Sequence, residues 1–202
     1  MICALLPAAG RSLRMGQPKL LLPVQGQPLL ARTVAAFRQA GIARILVVAP
    51  PQPVQIAAVA QQAGAEVLHL PVSTPDMRST VHAGLEWIER HWQPQPHDAW
   101  FLSPADYPCL EPEAIRTLAD CGISQQASIV VPTYQGRRGH PVLLAWSHVA
   151  ALERFDRNLG LDAYIRQQPD VRELPVPTAG ILADLDTPED YRRLTASEPP
   201  PP

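Results

Sequence analysis

Five short apolar runs recur along the first two thirds of the chain, and the stretches between them switch to helical spacing. MICALLP (1–7), RILVVAP (44–50), EVLHLP (66–71), AWFLSP (99–104) and SIVVPTY (128–134) read as buried strands. Several of the 24 prolines, among them Pro7, Pro50, Pro104 and Pro132, follow these runs and punctuate strands. Between the runs, Leu30, Val34 and Phe37 share one helical face before the stop signal Gly41. Val81, Leu85, Ile88 and Trp92 form a second stripe, and Glu111-Pro112 opens a third helix. Such alternation predicts one α/β domain with a mostly parallel sheet covered on both faces. After Gly136 the rhythm changes, and HPVLLAW (140–146) and VRELPVP (171–177) read as further strands walling a cleft. The expected domain spans residues 1–195, with 196–202 a Pro-rich flexible tail.

Composition narrows the classes of partner. A chain of 202 residues with a net charge of −2 holds one full core and has no general attraction for nucleic acid or anionic lipid. Cys3, Cys109 and Cys121 show neither CxxC nor metal-ligand spacing, which fits reduced thiols. No run approaches the roughly 20 apolar residues of a membrane span, and no signal-like segment opens the chain. The expected location is the cytoplasm.

In open α/β sheets ligands bind beyond the carboxyl ends of the strands. LPAAGRSLRMGQPKLLLP (6–23) occupies such a place after the first strand. It is not a Walker loop: five residues separate Gly10 from Gly16, and Leu20 follows Lys19. The GxGxxG fingerprint is missing too. The physical logic remains that of anion binding. Main-chain N–H groups around Ala8, Ala9, Gly10, Arg11 and Ser12 can turn inward, while Arg14 and Lys19 neutralise phosphate charge. The competing reading is a surface turn with solvated charges.

This segment resembles the signature of the molybdenum cofactor nucleotidyltransferases, AAGxSxRMGxxKxLLP. The match falls on Ala8-Ala9-Gly10, Ser12, Arg14-Met15-Gly16, Lys19 and Leu21-Leu22-Pro23. The paired alanines look more like the cytidylyltransferase branch than the guanylyl one. PADYP (104–108), GRRGHPVLL (136–144) and DLDTPEDY (184–191) extend the resemblance over nearly the whole chain. It implies a Rossmann-like three-layer α/β/α fold of the nucleotide-diphospho-sugar transferase type. It also implies Mg²⁺-dependent transfer of CMP from CTP to the phosphate of molybdopterin, with pyrophosphate leaving and a molybdenum hydroxylase apoenzyme as the destination.

The carboxylates follow from position and resemblance together. Asp106 stands just past the fourth strand, and Asp184 and Asp186 lie on one face if their segment is extended. A hard dication takes one or two carboxylates plus phosphate oxygens. Resemblance makes Asp106 the leading metal ligand, with Asp186 or Asp184 beside it. Both sites have plainer readings: Asp106 as a turn aspartate, and Asp186 as a turn residue before a helix capped by Thr187 with Pro188 at its first position.

PDMRST (75–80) occupies the place of a nucleobase-contacting loop in the related enzymes, which nominates Arg78 and Ser79. A helix cap at Ser79 or Thr80 explains the same residues equally well. His140, in GRRGHP, is by itself a packing histidine, and resemblance makes it an acceptor contact. Asp162 joins it, although Gly160-Leu161-Asp162 departs from the family's usual GDxGAR. Met15 reads as a packing plug, and the four tryptophans as core or rim. Three rivals remain: a sister transferase with another base or acceptor, a cofactor-maturation protein without turnover, and a nucleic-acid binder, which the mild acidity disfavours.

Overall fold

The computed structural model describes residues 1–10, 12–125, 127–156 and 159–196. Alternation within the first strand explains the layering. In β1 (Ile2–Pro7), Ala4 and Leu6 face one core while Cys3 and Leu5 face another. β4 (Arg44–Ala49) repeats this, with Ile45 and Val47 on the first side and Leu46 and Val48 on the second. A strand apolar on both faces must be covered on both. The first face carries α1 (Leu29–Gln39), α2 (Gln55–Gln62) and α4 (Pro112–Gln125). The second carries α3 (Met77–Trp92), α5 (Val149–Arg154) and α6 (Leu161–Arg166). The result is a three-layer α/β/α fold, as expected.

β1 pairs in parallel with β4 on one side and with β6 (Ala99–Leu102) on the other, and β5 (Glu66–His69) extends the sheet beyond β4. β7 (Ile129–Tyr134) and β10 (Val171–Pro175) form a second parallel pair. β9 (Val142–Ala145) runs antiparallel between β6 and β7, giving the order β10-β7-β9-β6-β1-β4-β5. Two small pieces complete the strands: the ribbon of β2 (Pro23–Val24) with β3 (Gln27–Pro28), and β8 (Arg137–Arg138), which pairs with β7. The final helix, α7 (Pro188–Ala196), packs Tyr191 and Leu194 against the first core.

The apolar stripe of α3 is buried at Val81, Leu85 and Ile88, with Trp92 at its rim. Its cap departs from the expectation. Asp76 in extended backbone is the N-cap and accepts the Ser79 N–H at 2.7 Å, so neither Ser79 nor Thr80 has that part. Thr187 does cap α7: its Oγ1 accepts the Asp190 N–H at 3.2 Å, while Asp190 Oδ2 accepts the Thr187 N–H at 2.8 Å. The tail 197–202 lies outside the described residues. Among the described residues no helix is long and apolar enough to cross a membrane.

Candidate active site

The segment after β1 folds as two 3₁₀ turns, Leu13–Met15 and Lys19–Leu21, rather than as a helix. Ser12 (φ +50°) and Gly16 (φ +65°) are left-handed, and Gly16 meets that demand without a Cβ penalty. Met15, 6% exposed, and Leu20, 4% exposed, anchor the loop in the core, as a plug should. The Lys19 N–H reaches Ser12 Oγ at 3.3 Å and closes the loop on itself. Above Gly10 there is open space, so a ligand can approach its backbone.

This loop borders a cavity of about 580 Å³. Ala8, Ala9, Gly10 and Ser12 line one side; Arg14 and Lys19 stand beside them; Asp106, Asp184 and Asp186 face them. Residues far apart in sequence thus meet. Lys19 Nζ donates to Asp106 Oδ2 at 2.5 Å and to Asp186 Oδ1 at 2.7 Å, and Arg14 pairs with Asp186 Oδ2 at 2.8 Å. Asp186 is therefore more than a turn residue. The Lys19 ammonium pairs hold its carboxyl below the usual carboxylate range against the opposing effect of burial, with Arg14 adding to them. Arg11 lies outside the described residues.

Among the described residues two cations, Lys19 and Arg14, face three carboxylates here, a surplus of negative charge. It shows at Asp184, whose pKa is raised first by burial and then by Asp186 and Asp106. Asp106 Oδ1 is buried and has no hydrogen-bond partner. An orphaned carboxylate oxygen beside surplus negative charge fits a divalent cation. Among the described residues no group of three or more His, Cys, Asp or Glu forms a protein-only metal cage.

A second cavity of about 520 Å³ adjoins the first, and Pro7, Met77, Pro104, Tyr107 and Asp184 border both. His140 and Asp162 line its wall, together with Leu102, Val131, Ile165 and Ile181. His140 is presented by the β8–β9 connection, where its N–H donates to the Ile181 carbonyl at 2.9 Å. A Cβ on Gly139 would stand 2.3 Å from that same carbonyl oxygen, which explains the glycine of GRRGHP. Gly139→Ala is expected to cost about 1–3 kcal/mol, read as a lower urea midpoint with the slope unchanged.

The comparisons fit this arrangement. Residues 4–171 match the MobA-like NTP transferase domain. The chain belongs to that family. It is 25% identical over 199 residues to the molybdenum cofactor cytidylyltransferase of Escherichia coli K12, spanning 98% of this chain and 96% of that one. A 2-C-methyl-D-erythritol 4-phosphate cytidylyltransferase of Nocardia farcinica is 38% identical over 87 residues, a match spanning 42% of this chain and only 37% of that relative. The crystal structure of Rv0371c from Mycobacterium tuberculosis H37Rv in complex with manganese superposes with a TM-score of 0.76 at 26% identity, covering 98% of this chain and 99% of that one. The MobA-like chain is thus an enzyme of the nucleotidyltransferase kind.

Within this transferase two nominated residues stand apart from the first cavity. Arg78 and Ser79 line a groove between α3 and α5, and Arg78 also lines the second cavity, with its guanidinium on the Leu152 and Phe155 carbonyls. That side of the first cavity's rim is formed by Thr74, Pro75, Asp76 and Met77. The sequence reading also passed over Tyr107, which borders both cavities and meets the His140 ring edge-on at 5.3 Å. Burial, then Asp184, Asp106 and Asp186, push its phenol well above the ordinary range, so it stays a neutral donor. Its only sequence signal was an aromatic directly after the strand-end aspartate.

Burial lowers the pKa of both His140 and His148. The folded state then binds fewer protons than the unfolded chain below the unfolded value of about 6.5. Their stabilising contribution is present above that pH and is lost as pH falls through the folded values. The urea midpoint is expected to drop between about pH 7.5 and pH 5.5, and less steeply in His148→Gln. Asp184 acts oppositely, but at the acid end.

Proposed function

We propose that the enzyme transfers CMP from CTP to the phosphate of molybdopterin and releases pyrophosphate, with Mg²⁺ as its metal. The observation that carries this reading is the Lys19–Asp106–Asp186–Arg14 cluster at the mouth of a glycine loop. The loop amides around Ala8, Ala9, Gly10 and Ser12 bind the triphosphate, and Lys19 and Arg14 swing from the carboxylates onto its charge. Arg11, next to this loop in sequence, is proposed to join them. Asp106, through Oδ1, and Asp184 would hold the metal, with Asp186 beside them. Bound there, a dication neutralises charge on the phosphates and orients them. The acceptor phosphate is already anionic, so no side chain need act as nucleophile or base.

The second cavity accommodates the acceptor. Its aliphatic wall of Leu102, Val131, Ile165 and Ile181 offers a face for a flat heterocycle, and Arg137, Arg138, His140 and Asp162 line the same cavity for its polar edge and phosphate. His140 and Asp162 offer polar contacts at its edge. Tyr107, at the junction, donates to the phosphate as it meets the nucleotide. The product is passed to a molybdenum hydroxylase apoenzyme, all in the cytoplasm, and the described part of residues 1–195 acts as one domain.

The test is a panel of CTP, GTP, ATP and UTP against molybdopterin, 2-C-methyl-D-erythritol 4-phosphate and phosphoenolpyruvate, scored by pyrophosphate release. Release with CTP and molybdopterin alone is expected. Release with GTP, or only with a small acceptor, assigns the chain to a sister activity. Tight nucleotide binding without release in any combination marks a maturation protein.

A further inference from the structure

α3 starts at the rim of the nucleotide cavity, yet its second residue reaches the opposite way. The Arg78 guanidinium donates to four main-chain carbonyls: Leu152 at 2.8 Å, Phe155 at 2.6 Å, Leu159 at 3.0 Å, and Asp156. The same cation stands over the Phe155 ring, 5.7 Å from its centre. These carbonyls belong to the last turn of α5 and to the connection leading into α6. Carbonyls at a helix C-terminus lack partners within the helix and carry the negative end of its dipole, so a cation suits them. A planar fork with five N–H donors can serve four carbonyls at once, whereas a lysine ammonium has three donors in a compact head.

The connection that Arg78 gathers runs directly into Gly160, Leu161 and Asp162, which wall the second cavity. On its other side Arg78 follows Asp76 and Met77, which rim the first. One side chain thus spans from the frame of the nucleotide site to the frame of the neighbouring one.

We infer that Arg78 is a positioning residue: it fixes the wall at Phe155, Asp156 and Leu159–Asp162 relative to the nucleotide rim, and so aligns the acceptor with the triphosphate. The inference rests on the reading of the second cavity as the acceptor site. Arg78 also lines the second cavity itself, so the exchange rates of the loop, and not the acceptor KM alone, separate positioning from direct contact; nucleotide binding is left to the segment after β1. Losing Arg78 loosens the wall without disturbing Lys19 or Asp106.

Arg78→Met, which retains the apolar stem, and Arg78→Lys are compared with the wild type by hydrogen exchange and by steady-state kinetics with CTP, Mg²⁺ and molybdopterin. In Arg78→Met the amides of Phe155, Asp156 and Leu159–Asp162 are expected to exchange about tenfold faster or more, as when several charge-assisted bonds to one loop are lost. Exchange in β1, β4 and β6 stays unchanged. The acceptor KM rises about tenfold while the CTP KM stays within about twofold, and Arg78→Lys recovers part of both effects. Unchanged exchange in the loop, an equal rise in both KM values, or a lysine variant no better than methionine overturns the inference. So does faster exchange throughout the chain in both variants, which makes Arg78 a support of the whole fold. If the wild type turns over no molybdopterin, the acceptor reading fails, and the exchange experiment alone decides whether Arg78 fixes the loop.

Discussion

Lys19→Ala is expected to slow pyrophosphate release by on the order of 10²-fold or more, the usual loss when one preorganised transition-state donor is removed. Three features make the effect large. The Lys19 side chain is only 13% exposed, so little solvent screens its charge. Burial alone would lower its pKa, but Asp106 and then Asp186 outweigh that and raise it, so the ammonium is charged at every working pH. Its backbone is held by a loop anchored through Met15 and Leu20, so only the side chain need turn from the carboxylates when phosphate arrives. The variant also leaves Asp106 and Asp186 without their shared counter-ion, and the assay is therefore run well below its measured Tm. Lys19→Arg is not a conservative rescue, because a wide planar fork cannot sit between the same two carboxylates as a compact ammonium does. Turnover near the wild-type rate in Lys19→Ala would remove this residue from the mechanism.

Asp106→Asn should abolish metal-dependent turnover, by at least about 10²-fold, while the protein remains folded. The substitution keeps the shape of the side chain and retains an oxygen for Lys19, so it isolates charge and ligand capacity. Asp106 Oδ1 is the buried oxygen without a partner, and the uncompensated charge extends to Asp184. An amide there reduces the surplus negative charge that favours a dication. A Mg²⁺ titration of the variant is expected to stay flat up to concentrations that saturate the wild type. A normal titration curve in Asp106→Asn would exclude it as a ligand and transfer that part to Asp184 or Asp186. Asp184→Asn then becomes the informative comparison, since Asp186 is already paired twice.

What the sequence made legible follows from which forces act locally. The buried strands were readable because a run such as RILVVA must be covered on both faces, and the sheet indeed puts Ile45 and Leu46 in opposite cores. The loop after β1 was readable because glycines, an arginine and a lysine between two apolar anchors have few other uses. The insertion of β9 between β6 and β7 was not, because strand order is set by long-range pairing that leaves no local mark. The surroundings of Arg78 were not legible for a similar reason: its guanidinium meets the carbonyls of Leu152, Phe155 and Leu159, contacts made across the sequence that leave no local mark, and capping competition among Asp76, Ser79 and Thr80 is decided by backbone geometry. Tyr107 escaped notice because its importance comes from two cavities meeting beside it. The sequence placed Asp106 and Asp186 as separate candidates; only folding shows them sharing one ammonium.

The claim beneath all of this is that the cavity above residues 8–19 receives a nucleoside triphosphate. Isothermal titration of the protein with each of the four triphosphates in the presence of Mg²⁺ tests it most directly. The account predicts saturable heat with CTP, strongly reduced in Lys19→Ala. The absence of heat for all four, or binding that ignores the loss of Lys19, would contradict it.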